Sequence, residues 1–155
     1  MVNLNRRRRG FSLIELLIVV AIILILVTVA AVQLPKALMH VKETAALVGV
    51  KAIQTAQILY SSSFNRYATS LAELGPPQSG QPNASASGVI GADLSNGLKQ
   101  GYKFTVTGRP GGYTVVAVPE SYGSSGSKSF YSDETMTIHE HYGPEQATAE
   151  DPIVR

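Results

Sequence analysis

No cysteine occurs anywhere in the 155 residues, which removes disulfide frameworks, thiol chemistry and the C-x-x-C-H attachment of a c-type haem. A domain of this chain placed outside the cytoplasm must therefore hold together by packing alone. Charge is also scarce: Asp, Glu, Lys and Arg make up 15% of the residues. With Ser, Thr, Gly, Asn and Gln plentiful, that balance suits an exported or assembled surface better than a cytosolic enzyme. The formal net charge of +2 rests on Arg6, Arg7, Arg8 and Arg9, and without them nine basic residues face 11 acidic ones. No basic face remains to track a nucleic acid. There is no glycine-rich phosphate loop and no G-x-S-x-G after a strand. The sequence thus offers no anchor for catalysis and no cofactor site.

What the chain does have is one long apolar run. Phe11 to Leu34 contains a single ionisable side chain, Glu15; as a helix it reaches about 36 Å, enough for a hydrocarbon core of about 30 Å. Four arginines immediately before it resist translocation, so residues 1–9 stay cytoplasmic and the rest is exported. A cleaved secretory signal, with Val29-Ala30-Ala31 as its small-residue site, and an uncleaved signal anchor share these features. Glu15 sets the run apart from both. A carboxylate at mid-membrane costs about 2.5 to 3.5 kcal/mol on insertion scales and usually finds a partner. Cleavage after Gly10 would give Phe11 an α-amino group that is mostly protonated at neutral pH. An ammonium about 4 Å from the carboxylate attracts it by roughly 4 kcal/mol at an effective dielectric near 20. Supplied by a neighbouring copy, that ammonium would make Glu15 a register device.

Gly10-Phe11-Ser12-Leu13-Ile14-Glu15-Leu16-Leu17 resembles the processing site of class III signal peptides, found in type IV pilins and in the pseudopilins of type II secretion. The resemblance implies a leader over residues 1–10, cut after Gly10 by a membrane-embedded prepilin peptidase. It implies N-methylation of Phe11, and Glu15 as the residue that promotes docking into a helical filament. The implied partners are further copies of the chain, the peptidase, the assembly machinery of the bacterial inner membrane, and lipid before assembly. The implied fold is α+β: one long N-terminal helix, half transmembrane and half amphipathic, against a small antiparallel sheet. The chain departs from the family pattern at Leu24, where a helix-weakening glycine is common, and at Val32, with proline displaced to Pro35. Pro35 removes a helix hydrogen bond and crowds the carbonyl of Ala31, which predicts a kink.

Residues 11–34 are thus the span or filament core, and 35–155 an exported head. In the head, Leu38, Val41, Ala45, Val48, Ala52, Ala56 and Leu59 recur every three or four residues and extend the helix over about 36–62. This stripe faces either its own head or another subunit, the head being the first expectation. Gly49 weakens the helix by about 1 kcal/mol relative to alanine. Tyr60, Phe64 and Tyr67 read as packing aromatics, and Leu71 to Leu74 as a helical turn before Gly75-Pro76-Pro77. A variable surface loop covers about 75–98, with a short helix or strand at Val89 to Leu94. Strands are expected over about 101–140: Tyr102 to Thr107, Tyr113 to Val118, Lys128 to Ser132 and Thr135 to His139. Residues 143–155 read as a mobile acidic tail. His139 and His141 share a strand face but have no third ligand nearby. Asp133 and Glu134 do not trace a calcium loop. No metal site is expected. Two functions beside the pilus subunit stay open: a pseudopilin of type II secretion, and an anchored periplasmic binding domain that never polymerises.

Overall fold

The computed structural model describes residues 10–154, Val32 by its backbone alone. Arg6 to Arg9, and with them all of the expected leader except Gly10, lie outside the described residues. The chain divides into two compact units, residues 1–36 and 37–155. Helix α1, Leu13–Phe64, passes through both and carries Pro35 inside it.

In the first unit the helix makes no core. Its side chains from Leu13 to Ala31 are all exposed, and the helix is long and apolar enough to cross a membrane.

The second unit is the α+β part. After α1 come two single-turn helices, α2 (Leu71–Leu74) and α3 (Ala92–Ser95). Five strands follow: β1 (Leu98–Lys99), β2 (Tyr102–Arg109), β3 (Gly112–Pro119), β4 (Lys128–Asp133) and β5 (Ile138–Tyr142). They form one sheet in chain order, every neighbouring pair antiparallel. Phe104 and Phe130 both pair with Ala117, and Val106 and Ser132 both pair with Val115. Side chains alternate across a sheet, so these residues share one face with Tyr102, Tyr113 and Ile138. That face is buried in a core with Ala46, Val50, Ile53, Ala56 and Tyr60 of α1.

The buried face of α1 is not the apolar stripe expected from periodicity. Leu38, Val41, Val48 and Leu59 do not face the head; they are 50 to 64% exposed. The buried face is Glu43, Ala46, Val50, Ile53, Gln54, Gln57 and Tyr60, and of the expected stripe only Ala56 lies on it. The difference has a clear cause, because three buried positions are polar and each has a partner far away in sequence. Ser127 donates to the Glu43 carboxylate from its amide and its hydroxyl, both at 2.7 Å. Gln54 donates to Ser132 at 2.6 Å. Gln57 donates to the Ala68 carbonyl and accepts from the Ala68 amide, as a paired strand would. Among the described residues no buried side-chain polar atom is left without a partner.

α1 ends at Phe64, with Asn65 in the left-handed conformation (φ 55°) and its amide bonded to the Ser61 carbonyl at 2.9 Å. Asparagine tolerates that conformation better than most residues, which makes it a helix stop. Two further expectations change. β5 begins at Ile138 rather than Thr135, because the Asp133 carboxylate accepts from the Thr135 amide and hydroxyl and Met136 is left-handed (φ 64°); a residue so held cannot continue a ladder. The tail is not loose. The Ala147 side chain is buried, and its amide donates to Ser129 at 2.7 Å. The Val154 amide donates to the Ile138 carbonyl at 2.9 Å. Lacking periodicity, the segment is held by hydrogen bonds rather than by an apolar face.

Candidate functional site

The N-terminal end of α1 is built from few parts. Gly10 is exposed, and nothing lies within 4 Å of the position a Cβ would take there. Among the described residues, nothing crowds the side of the backbone where a side chain would stand. Phe11 is 77% exposed. The helix begins at Leu13, which makes Ser12 its N-cap and Glu15 the third helical residue. The Ser12 amide donates to Glu15 Oε2 at 3.5 Å, and the Leu16 amide bonds to the Ser12 carbonyl at 3.2 Å. Ser-x-x-Glu at a helix start is the capping-box pattern, of which this end forms the half in which the glutamate reaches back, at 3.5 Å, to an amide that has no helical partner. The motif stands in the sequence as Ser12-Leu13-Ile14-Glu15, where the lone charge in an apolar run overshadows it. In one chain Glu15 thus has a local task. It satisfies one N–H and sits at the positive end of the helix dipole.

The second feature is the exposed apolar face of α1 in the second unit. Val41, Ala45, Val48, Gly49 and Ala52 line an open groove of about 510 Å³ closed on one side by Lys99 and Gln100. Gly49 belongs to both sides of the helix: a Cβ there would meet the Phe104 ring at 2.7 Å. Its absence of side chain lets α1 lie close on β2.

The third is the seat of Glu43 on the buried face. Burial pushes its carboxyl up, but the two bonds from Ser127 and one from His40 at 3.2 Å outweigh this and hold it below the usual carboxylate range. Beside it the Tyr102 phenol is pushed well up, by burial first and by the Glu43 charge second, and donates to the Lys128 carbonyl at 2.8 Å.

The remaining sequence candidates have structural partners. Tyr60 and Phe64 pack as tilted rings with centroids 4.7 Å apart, and Tyr67 packs on Tyr113 at 5.1 Å. Arg109 bridges Asp133 at 3.3 Å and Glu134 at 2.7 Å, so these carboxylates join two hairpin ends. His139 and His141 each turn Nδ1 to Asp151, the first to its carbonyl at 2.6 Å and the second to its carboxylate at 2.7 Å. Among the described residues no group of three or more His, Asp or Glu side chains is placed to hold a metal ion.

Comparison with known proteins bears on the first of these sites. Residues 5–31 match the prokaryotic N-terminal methylation motif. The chain is 44% identical over 71 residues to the type IV major pilin protein PilA of Myxococcus xanthus (strain DK1622). That alignment takes in 46% of this chain, and the chain spans about a third of the length of the curated relative it matches (32%). No solved structure matches the chain. Motif and relative both support the resemblance to type IV pilins.

Proposed function

We propose that this chain is a structural subunit of a type IV pilus filament. Residues 1–10 are its leader, 11–34 its membrane span and filament core, and 35–155 its exported head. Before assembly it crosses the bacterial inner membrane once, N-terminus in the cytoplasm. Prepilin peptidase cuts after Gly10 and the new Phe11 amino group is methylated. The assembly machinery then draws the span out of the lipid, and the helices of many copies replace the lipid around it. Glu15 leaves its local cap to meet the Phe11 ammonium of a neighbouring copy, and Pro35 bends the helix between core and head. The filament serves adhesion, motility or DNA uptake, and the chain itself catalyses nothing.

The observation that supports this reading best is the exposed apolar face of α1 beyond the span. Lipid covers Phe11 to Leu34, but Leu38, Val41, Val48 and Leu59 lie past it, where water would meet them. An apolar stripe of this length has a use when further helices cover it. The lack of cysteine in the head leaves a pseudopilin of type II secretion as the second reading, which shares every step up to the filament's task.

The test is mass-spectrometric sequencing of the mature N-terminus, with electron microscopy of sheared surface filaments. A chain that begins at methylated Phe11 and is found in the filaments supports the proposal. An intact Met1, or a start near Val32, overturns it in favour of an anchored domain or a secreted one.

A further inference from the structure

The outer face of β4 and β5, turned away from α1, carries Ser129, Tyr131, His139 and His141, with Ser129 paired to His141 and Tyr131 to His139. Residues 143–154 fold back over it. The Gly143 amide bonds to the Ser127 carbonyl. Ser129 Oγ donates to the Glu145 carbonyl at 2.9 Å and accepts from the Ala147 amide at 2.7 Å. Asp151 then closes the loop. One carboxylate oxygen accepts from the Thr148 amide and hydroxyl at 2.7 and 2.9 Å, and the other accepts from His141 Nδ1 at 2.7 Å. Beyond it the chain lies along the free edge of β5, where the Glu140 amide donates to the Pro152 carbonyl at 2.8 Å and Ile153 pairs with His139.

We propose that residues 143–154 are a pH-governed strap, clasped by the His141–Asp151 pair, whose loosening uncovers the edge of β5. In a head without disulfides this clasp is the one charged link between the strap and the strand beneath it among the described residues besides the longer contact from His141 Nε2 to Glu145 at 3.6 Å. The charged and titratable groups around His141 come from three elements. From the strap they are Asp151 and Glu145; along β5 His139 lies on the same face; on β4 the cross-strand neighbour is the uncharged Ser129, with Tyr131 next on that face. Lys128 and Glu140, paired at 2.9 Å, lie on the opposite face of the sheet.

The bond to Asp151 and then its charge raise the His141 pKa above the ordinary value, and the bond to His141 first, with those from Thr148, holds Asp151 down at about 2. A raised histidine contributes stability that is complete below its unfolded pKa and is lost as pH rises through its folded one. A depressed aspartate contributes above its unfolded pKa and loses it as pH falls through the folded one. The clasp is therefore fully closed from mildly acidic pH up to the ordinary histidine range and loosens on the alkaline side of it. The loosening is partial, because neutral imidazole keeps one N–H for Asp151 and gives up the one toward Glu145. What it frees is strand backbone: the Glu140 amide and the Ile138 carbonyl become an open edge, able to pair with another extended segment.

The experiment is amide hydrogen exchange on the full chain in detergent micelles from about pH 5 to about pH 9, corrected for the intrinsic pH dependence, with His141 followed by NMR. Protection of the Glu140, Ala147 and Val154 amides should fall roughly two- to fivefold as the His141 ring titrates, while Val115 and Phe104 stay unchanged. Asp151→Asn and His141→Gln should each lower that protection at acid pH and flatten the profile. Flat protection in the unaltered chain, or a wild-type profile in both variants, would overturn the proposal.

Discussion

Gly49 of α1 and Phe104 of β2 touch where a Cβ would sit 2.7 Å from the aromatic ring. Alanine in place of Gly49 gains about 1 kcal/mol of helix propensity but overpacks a buried ring, at a cost of about 1 to 3 kcal/mol. Gly49→Ala is expected to lower stability by about 1 kcal/mol in denaturant unfolding, a balance of those two terms. Trimming the ring in the double variant Gly49→Ala, Phe104→Leu should remove the clash and make the effect of the alanine smaller. A stabilised single variant would mean that the helix does not lie this close.

Glu43 and Ser127 make the second tie between helix and sheet region. Glu43→Gln keeps the shape but loses charge assistance in two partly buried hydrogen bonds, for an expected loss of about 1 to 2 kcal/mol. The sign with pH follows from the depressed pKa. The native carboxylate stabilises above its unfolded value, and that contribution vanishes as pH falls through the lower folded value. The variant should therefore unfold with a shallower acid slope than the unaltered chain, as read by circular dichroism of the head signal across acid pH.

Two substitutions separate the tasks of Glu15. Glu15→Ala removes both the cap and the charge, and Glu15→Gln keeps a side chain able to reach the Ser12 amide while it removes the charge. If a neighbour's ammonium is the partner in the filament, both variants insert in the membrane and neither assembles. Filaments of Glu15→Gln at normal yield, counted by electron microscopy, would reduce the residue to a helix cap.

Gly10→Val places a branched side chain where the backbone is now bare. The expected outcome is accumulation of uncut chain in the membrane fraction, with the mass of the precursor and an unmethylated N-terminus. Cleavage at the normal rate would show that the bare backbone is not what the peptidase uses.

Val48, 60% exposed on the outer face of α1, tests that face without disturbing the core. Val48→Glu should change the stability of the head by no more than about 0.5 kcal/mol, as surface substitutions usually do, and should abolish filaments. Normal filaments would mean that the stripe faces water in the assembly.

Much of the fold is legible in the residues themselves. The alternation of Tyr102, Phe104 and Val106 places β2 and its buried face, and the long apolar run with its single glutamate places the exposed apolar first half of α1. The buried helix face in the head is not legible in this way, because periodicity counts apolar residues, whereas Glu43, Gln54 and Gln57 are buried by partners 84, 78 and 11 positions away in the chain. No local pattern announces such a pairing. The strap escapes sequence reasoning for the same reason: main-chain bonds, the Ser129 hydroxyl and the Asp151 carboxylate hold it, and none of these makes a periodic signal. Thr135 to Thr137 read as strand by composition, and only the side chain of Asp133 turns them.

The connection after α2 is seated by Ile90 in the core, by the Ser87 hydroxyl on the Glu73 carbonyl and, over the rest, by main-chain atoms. Tyr60 donates to the Ala84 carbonyl at 2.6 Å, and the Ser87, Gly88 and Ile90 amides bond to the carbonyls of Glu73, Gly75 and Leu74. Anchors of this kind hold whatever side chains the anchored residues carry. Gln78 to Ser85 can therefore change in charge or size, or be lengthened, at little thermodynamic cost while the seat stays the same.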